Sequence, residues 1–337
     1  MANVVKSTDN TISTDELLAD VLASYKDQFP QIGQFATDFS TDEITVGQTI
    51  IARILSNPAV NTFSGNYSTG ATAAVDLTSD LPIVVDQHKF VNVEQAYLNA
   101  IATKRDMLAE SVSTLAYSLG SSIMAAVWDT CVSANFSNNV VADGSSTNEK
   151  WGLSTLMDLR KQLNSQGANP AGRFGIVNTD VMSALLQDDK IASGDFFGGV
   201  IGTGNGTGIL RNIAGFEAIY EYSAADDNDP DGVGSASENT LGFFGDKSAI
   251  NIAARLPHDF SAVAASSGAP AIAATSIVQD PASGMPLRGV SYMRPDSFNI
   301  VTSVETVYGI RSGKNGGSAN AQTDKGGVLL ISDAATS

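Results

Sequence analysis

Apolar positions along this chain change their spacing repeatedly, and the changes mark out its elements. Leu17, Leu18, Val21, Leu22 and Tyr25 recur at helical spacing and share one face. Ser13 with Glu16 three residues later is a capping-box pattern that opens this run, and Pro30 closes it. A β-branched apolar run from Ile44 to Leu55 predicts a strand, and Leu81 to Val93 predicts another. Between them, Asn57 to Asp80 is polar and rich in Thr, Ser, Gly and Ala. Two strands around about twenty weakly patterned residues read as a long projecting hairpin, because loops of that length in compact domains are uncommon and usually bind something.

The next pattern is the longest. Leu108, Val112, Leu115, Leu119, Ile123, Ala126 and Val127 recur at spacings of three and four, which predicts a helix from Asp106 to Ala134. At ~1.5 Å per residue it would run ~40 Å. Asp106 and Glu110 stand near its start, where the helix dipole favours acid. Asn135 to Lys150 is polar linker, and Trp151 to Gln166 is helical with Gly167 as its cap. Arg173 to Val177 predicts a short buried strand that turns at Asn178 and Thr179 into a helix through Val181, Leu185 and Leu186. Strands follow at Phe216 to Tyr222 and Leu241 to Phe244, while Ala249 to Ala254 reads as helix or strand. Phe298, Ile300, Thr302, Val304, Thr306, Tyr308 and Ile310 would share one face of a long strand, and Val328 to Ile331 forms a last short one. Gly194 to Gly208 and Gly313 to Gly327 are loops. No internal repeat and no regular βαβ series is present, so the class is mixed α+β.

Composition narrows the function. Hydrophobic residues make up 43% of the 337, enough for a substantial core. Charged residues make up only 16%, and Ala, Ser, Thr, Gly and Asn take their place, which suits a surface that hides against neighbours. Thirty-six acidic against nineteen basic residues give a net charge of −17, which argues against a general nucleic-acid binder with a phosphate-neutralising face. Cys131 is the only cysteine, so no intrachain disulfide forms and a reducing compartment is expected. Met1 to Asp9 lacks the apolar core of a signal peptide, and Ser111 to Trp128 is too rich in serine for lipid. The expectation is a soluble protein made in the cytoplasm.

Motifs for chemistry are sparse. Gly202, Gly204, Gly206 and Gly208 do not have dinucleotide-loop spacing, and Gly313 with Lys314 is not a P-loop. His88 and His258 are the only histidines and neither sits in a local catalytic signature, so no catalytic residue is assigned. Cys131 reads as a small buried core residue. One pattern matches formally: Asp227, Asp229, Asp231, Gly232 and Glu238 fit an Asp-x-Asp-x-Asp-Gly-x5-Glu calcium loop. The flanks contradict it, since Phe216 to Tyr222 is a strand where a helix is needed and Gly234 replaces the usual apolar residue. A solvated acidic loop is the reading taken, with no cofactor and no metal, and calcium is its competitor.

The order of segments resembles the major capsid (coat) proteins of tailed bacteriophages (Caudoviricetes), and podovirus-like coat proteins in particular. The resemblance lies in Thr45 to Ile50 and Leu81 to Val93 at the base of the hairpin, and in Gly175 to Asn178 before a helix. It continues in Ile213 to Tyr220 as loop-to-strand and in Phe243 to Ile250 after it. It implies the Johnson fold: an N-terminal arm (1–43), an extended loop (44–95), a peripheral domain with a spine helix (96–150 and 256–337) and an axial domain (151–255). It also implies a non-enzymatic virion subunit that self-assembles as pentamers and hexamers into an icosahedral shell around double-stranded DNA. Scaffolding and portal proteins, and a decoration protein, are the partners it implies, with assembly in the host bacterial cytoplasm and no membrane. A projecting hairpin and a detached arm expose apolar strips that suit such a subunit better than a monomer. The competing classes are a secreted or surface structural protein holding calcium, and a hydrolase working with carboxylates alone.

Overall fold

The computed structural model describes residues 20–21, 29–55, 62–63, 78–95, 107–132, 135–136, 138–141, 152–188, 191, 209–222, 240–257, 272–279, 285–294, 299–313 and 326–331. Among them, strands outnumber helices, and they form two six-stranded sheets and a two-stranded ribbon.

The first sheet is organised around one long strand, β13 (Ile300–Ser312). On one edge it pairs antiparallel with β4 (Gln87–Gln95). On the other edge, β12 (Pro286–Met293) takes the first half and β10 (Ile250–Pro257) the second. Outside these lie β11 (Ile272–Gln279), antiparallel to β12, and β1 (Ala36–Ile44), parallel to β10. The sequence alternation expects β13 to bury one face. Val304 and Tyr308 do face the core under the long helix, but Val307 is equally buried on the opposite face. The base of the ribbon covers that second face, so the strand is sealed on both sides.

The second sheet has the order β5 (Asn139–Val141), β14 (Gly327–Ile331), β9 (Thr240–Gly245), β6 (Phe174–Val177), β8 (Phe216–Glu221), β7 (Ile209–Ile213). Leu156, Leu159 and Leu163 of α2 (Leu153–Ser165) and Val181, Met182 and Leu185 of α3 (Thr179–Gln187) pack on one face, against Phe216, Ile219, Phe244 and Leu330. On the opposite face Phe174, Ile176, Phe243, Leu329 and Ile331 enter a different core. That core also holds Leu115, Leu119, Ile123 and Val127 of α1 (Met107–Trp128) and Ile250 and Ile252 of β10, so the two sheets share it. Gly175 has no side chain because the Phe244 ring occupies that space.

Local chemistry explains where the helices begin and end. The Asn178 carboxamide oxygen accepts from Val181 N–H at 2.9 Å and caps α3. Gly167, at φ +73°, ends α2 in a Schellman turn in which Ala168 N–H donates to Leu163 and Gly167 N–H to Asn164. The long helix stops at Trp128, short of the expected Ala134, and spans ~33 Å. Thr130 and Asn135 side chains bond the carbonyls of Ala126 and Thr130, offering the backbone an alternative to another turn. No helix among the described residues is long and apolar enough to cross a membrane.

Several expected boundaries move. The run from Ile44 to Leu55 is not one strand: β1 ends at Ile44, Gly47 turns at φ +95°, and β2 (Thr49–Leu55) begins after it. Leu81 to Val93 likewise divides into β3 (Thr78–Val84) and β4, because Val85 is drawn down to bond the Gly47 turn. The described part of the expected arm lies on the body, with Val21, Phe29, Ile32 and Phe35 buried in the shared core. Phe35 meets Phe174 edge-on at 5.1 Å, and Gln34 donates to the Tyr220 hydroxyl at 2.8 Å. β5 and β14 complete the second sheet, while β10 belongs to the first.

Candidate assembly surface

Among the described residues the ribbon presents an exposed apolar face. β2 and β3 pair antiparallel from Thr49–Val84 to Leu55–Thr78. Ile50, Leu81 and Ile83 point inward, and Leu81 and Ile83 are buried. Ile51, Pro82 and Val84 point outward, with Ile51 59% and Val84 46% exposed. A two-stranded ribbon is marginal by itself in water, so an apolar outer face on one needs a covering partner. Phe90 on β4, 60% exposed, adds to the apolar surface near the ribbon's root.

The root is stiff. Ile44, Val85 and Val307 form a small core with Ile50 packed against it. Gly47 N–H donates to Val85 at 2.8 Å and Val85 N–H to Gln48 at 2.9 Å. The Arg311 guanidinium donates to the Pro82 carbonyl. Gly309 lies so close beneath the Val84 carbonyl that any side chain there would overlap backbone. The ribbon is thus fixed to β13 by packing and by hydrogen bonds.

A buried charge network crosses the same sheet. Arg288 Nε of β12 donates to Glu305 Oε1 of β13 at 2.6 Å, and His88 Nε2 of β4 meets Glu305 Oε2 at 2.8 Å. Arg288 Nη1 also donates to the Pro257 carbonyl at 2.7 Å, where β10 gives way to β12 along β13. One carboxylate therefore ties three adjacent strands and the end of a fourth. At the far end of β4, Glu94 accepts from Asn299 at 2.7 Å and from Arg294 at 3.4 Å. Where the chain passes from the second sheet to the first, Asp246 accepts from Ser248 N–H, the Ser248 hydroxyl and Asn169 N–H.

Of the residues considered for chemistry, His88 serves the network above, while His258 lies outside the described residues. Cys131 is buried, its thiol donates to Val127 O at 3.5 Å, and burial pushes that thiol up, away from the reactive thiolate. Asp227, Asp229, Asp231, Gly232, Gly234 and Glu238 lie outside the described residues, as does the glycine stretch 194–208. Among the described residues no three His, Cys, Asp or Glu side chains are grouped to hold a metal ion. The Arg288–Glu305–His88 network escapes sequence reading because its members are far apart in the chain and meet only through strand register. The outward face of the ribbon left a fainter trace: Ile50 and Ile51 are both apolar, although a half-buried strand should alternate.

No family model and no curated protein matches this chain by sequence. Solved structures match by fold. The capsid of Ralstonia phage GP4 superposes with a TM-score of 0.56 at 8% identity, covering 89% of this chain and 87% of that one. The capsid structure of the cyanophage P-SCSP1u gives 0.53 at 12% identity, covering 98% and 91%. The chain has a mixed α+β, mostly stranded fold shared with these phage capsid chains over nearly its whole length.

Proposed function

We propose that this chain is the major capsid protein of a tailed bacteriophage. In this reading the shared fold is the Johnson fold. The first sheet with α1 as spine helix makes the peripheral domain, the second sheet with α2 and α3 makes the axial domain, and the β2–β3 ribbon is the extended loop. Subunits associate as pentamers and hexamers and close an icosahedral shell around double-stranded DNA, assembled in the host cytoplasm with scaffolding and portal proteins. The role is structural and not enzymatic. The observation that carries it is whole-chain likeness to two phage capsid folds, joined to a rigidly rooted ribbon that presents Ile51 and Val84 to solvent.

The test is negative-stain electron microscopy of the protein expressed alone and with the genes beside its own. Closed shells or tubes of regular subunits are expected. Small monodisperse particles in both preparations would overturn the assignment.

A further inference from the structure

Charge is sorted differently in the two sheets. In the first, Arg255, Arg288 and Arg294 each meet a carboxylate, at 3.0, 2.6 and 3.4 Å. Around the second, Arg160, Lys161 and Lys247 are exposed and enter no ion pair among the described residues. Acidic residues outnumber basic ones by thirty-six to nineteen, so exposed cations without a carboxylate mark a surface suited to an acidic partner.

These cations gather at one end of the second sheet. Arg173 stands just before β6, and Lys247 just after β9, whose Gly245 pairs with Phe174. A Cβ on Gly172 would lie 3.7 Å from Lys247 Cε, and one on Gly215, in the β7–β8 turn, 3.3 Å from Arg160 Nε. Burial first, and then the field of Arg160, push the Arg173 guanidinium down from its ordinary value, against the pull of Asp246. Asp246 is taken up by Ser248 and Asn169, and no ion pair among the described residues joins Asp158 or Glu217 to these cations. The opposite end is acidic. Glu221 closes β8 and Asp180 lies in the first turn of α3. Segment 226–238, which leads from β8 to β9, carries five acidic residues and no basic one.

We propose that the basic end of the second sheet, through Arg160, Lys161 and Lys247, receives the acidic segment 226–238 of a second copy, so that copies meet head to tail; this rests on the coat reading above. Charge complementarity and topology select the occupant. The segment leaves and re-enters the sheet at its acidic end, one length of β8, about 20 Å, from the cations. Both faces between are covered, one by α2 and α3 and the other by the shared core, whereas a neighbour stacked end to end meets the cations directly. Such a contact joins two different surfaces, and repeated around an axis it closes a ring.

The test treats assembled wild-type particles with a water-soluble carbodiimide, which joins an amine to a carboxylate where the two touch. Covalently linked copies are expected on a denaturing gel, with mass spectrometry mapping the link from Lys161 or Lys247 to segment 226–238. Lys161→Arg with Lys247→Arg keeps the charge, so it should assemble like the wild type yet lose that product at least ten-fold. Charge reversal gives a second readout. Arg160→Glu with Lys247→Glu, and separately Asp227→Lys with Asp229→Lys and Asp231→Lys, should each cut particle yield at least ten-fold while the unassembled subunit melts like the wild type. The two sets combined should recover most of the yield. Particles without that link, or reversed sets that fail both apart and together, would overturn the head-to-tail pairing and leave the coat reading standing. Normal particles from either reversed set alone would overturn the pairing as well. A wild type that forms no assembly in any preparation would overturn both.

Discussion

Removal of the Arg288 guanidinium should show how strongly the strands of the first sheet depend on one carboxylate. Arg288 and Glu305 side chains are each only 11% exposed, and the 2.6 Å contact is a charge-assisted bond in a sheltered site. Taking away one partner of a buried pair costs about 3–5 kcal/mol, because the remaining charge stays buried without compensation. Here Glu305 keeps His88 at 2.8 Å, whose side chain is 37% exposed, so the lower end applies. The Pro257 carbonyl also loses its donor. Arg288→Met should therefore cost about 3–4 kcal/mol in total. The double change Arg288→Met with Glu305→Leu removes both charges and should lie within about 1–2 kcal/mol of the wild type. Urea unfolding of the dilute, unassembled subunit, followed by the fluorescence of Trp128 and Trp151, measures both. A loss below about 1 kcal/mol in the single variant, or strict additivity of the two changes, would refute the claim that the pair acts as a unit.

Other outcomes are expected from the same structure. Ile51→Asp combined with Val84→Asp puts charge on the outward ribbon face and should leave the melting temperature within a few degrees, about ±0.5 kcal/mol per exposed site, while particle formation fails; a drop in subunit stability would mean that this face is covered by the chain itself. Asn178→Ala removes the α3 cap and should cost about 1 kcal/mol in urea unfolding, with Asn178→Asp close to neutral. The acidic loop through Asp227, Asp229, Asp231 and Glu238 is expected to be solvated, so millimolar calcium or EDTA should leave the melting curve unmoved; a calcium-dependent rise of several degrees would establish a site there.

The parts of this fold that were legible in the sequence are those governed by local physics. The α1 periodicity, the Asn178 cap, the Gly167 turn and the alternation of β13 each depend on residues within a few positions of one another. The parts that were not legible depend on long-range pairing. β1 reads as polar because Asp38, Asp42 and Glu43 interrupt it, yet parallel pairing with β10 makes it a strand, with Arg255 bonded to the Asp38 carbonyl and carboxylate. β11 is built largely of small residues, and β12 interrupts its apolar positions with Pro286, Arg288, Gly289 and Ser291, so neither pattern gave a strand signal until the sheet supplied one. The breaks at Gly47 and Val85 fall beside polar residues, Gln48 and Thr49 and Asp86 to Lys89, of a kind that a half-buried strand also carries; only the mutual hydrogen bonding of the two turns shows where the main sheet ends and the ribbon begins. Amphipathic periodicity over Leu17 to Tyr25 marks a face that must be buried but does not say against what; of that face only Val21 is among the described residues, and it is buried against this same chain.

The ribbon and the charge network are not independent features, because both are attached to β13. Along that strand Glu305 ties β4 and β12, Val307 closes the ribbon's root core, Gly309 admits the Val84 carbonyl and Arg311 bonds Pro82. Four alternate residues on one face thus join the centre of the sheet to its projection. A flexible linker at the root would let the ribbon take up many directions, and the entropy of choosing one would oppose every contact it made. The close fit at Gly309 restricts that freedom, so the outward face of Ile51 and Val84 is held against the sheet.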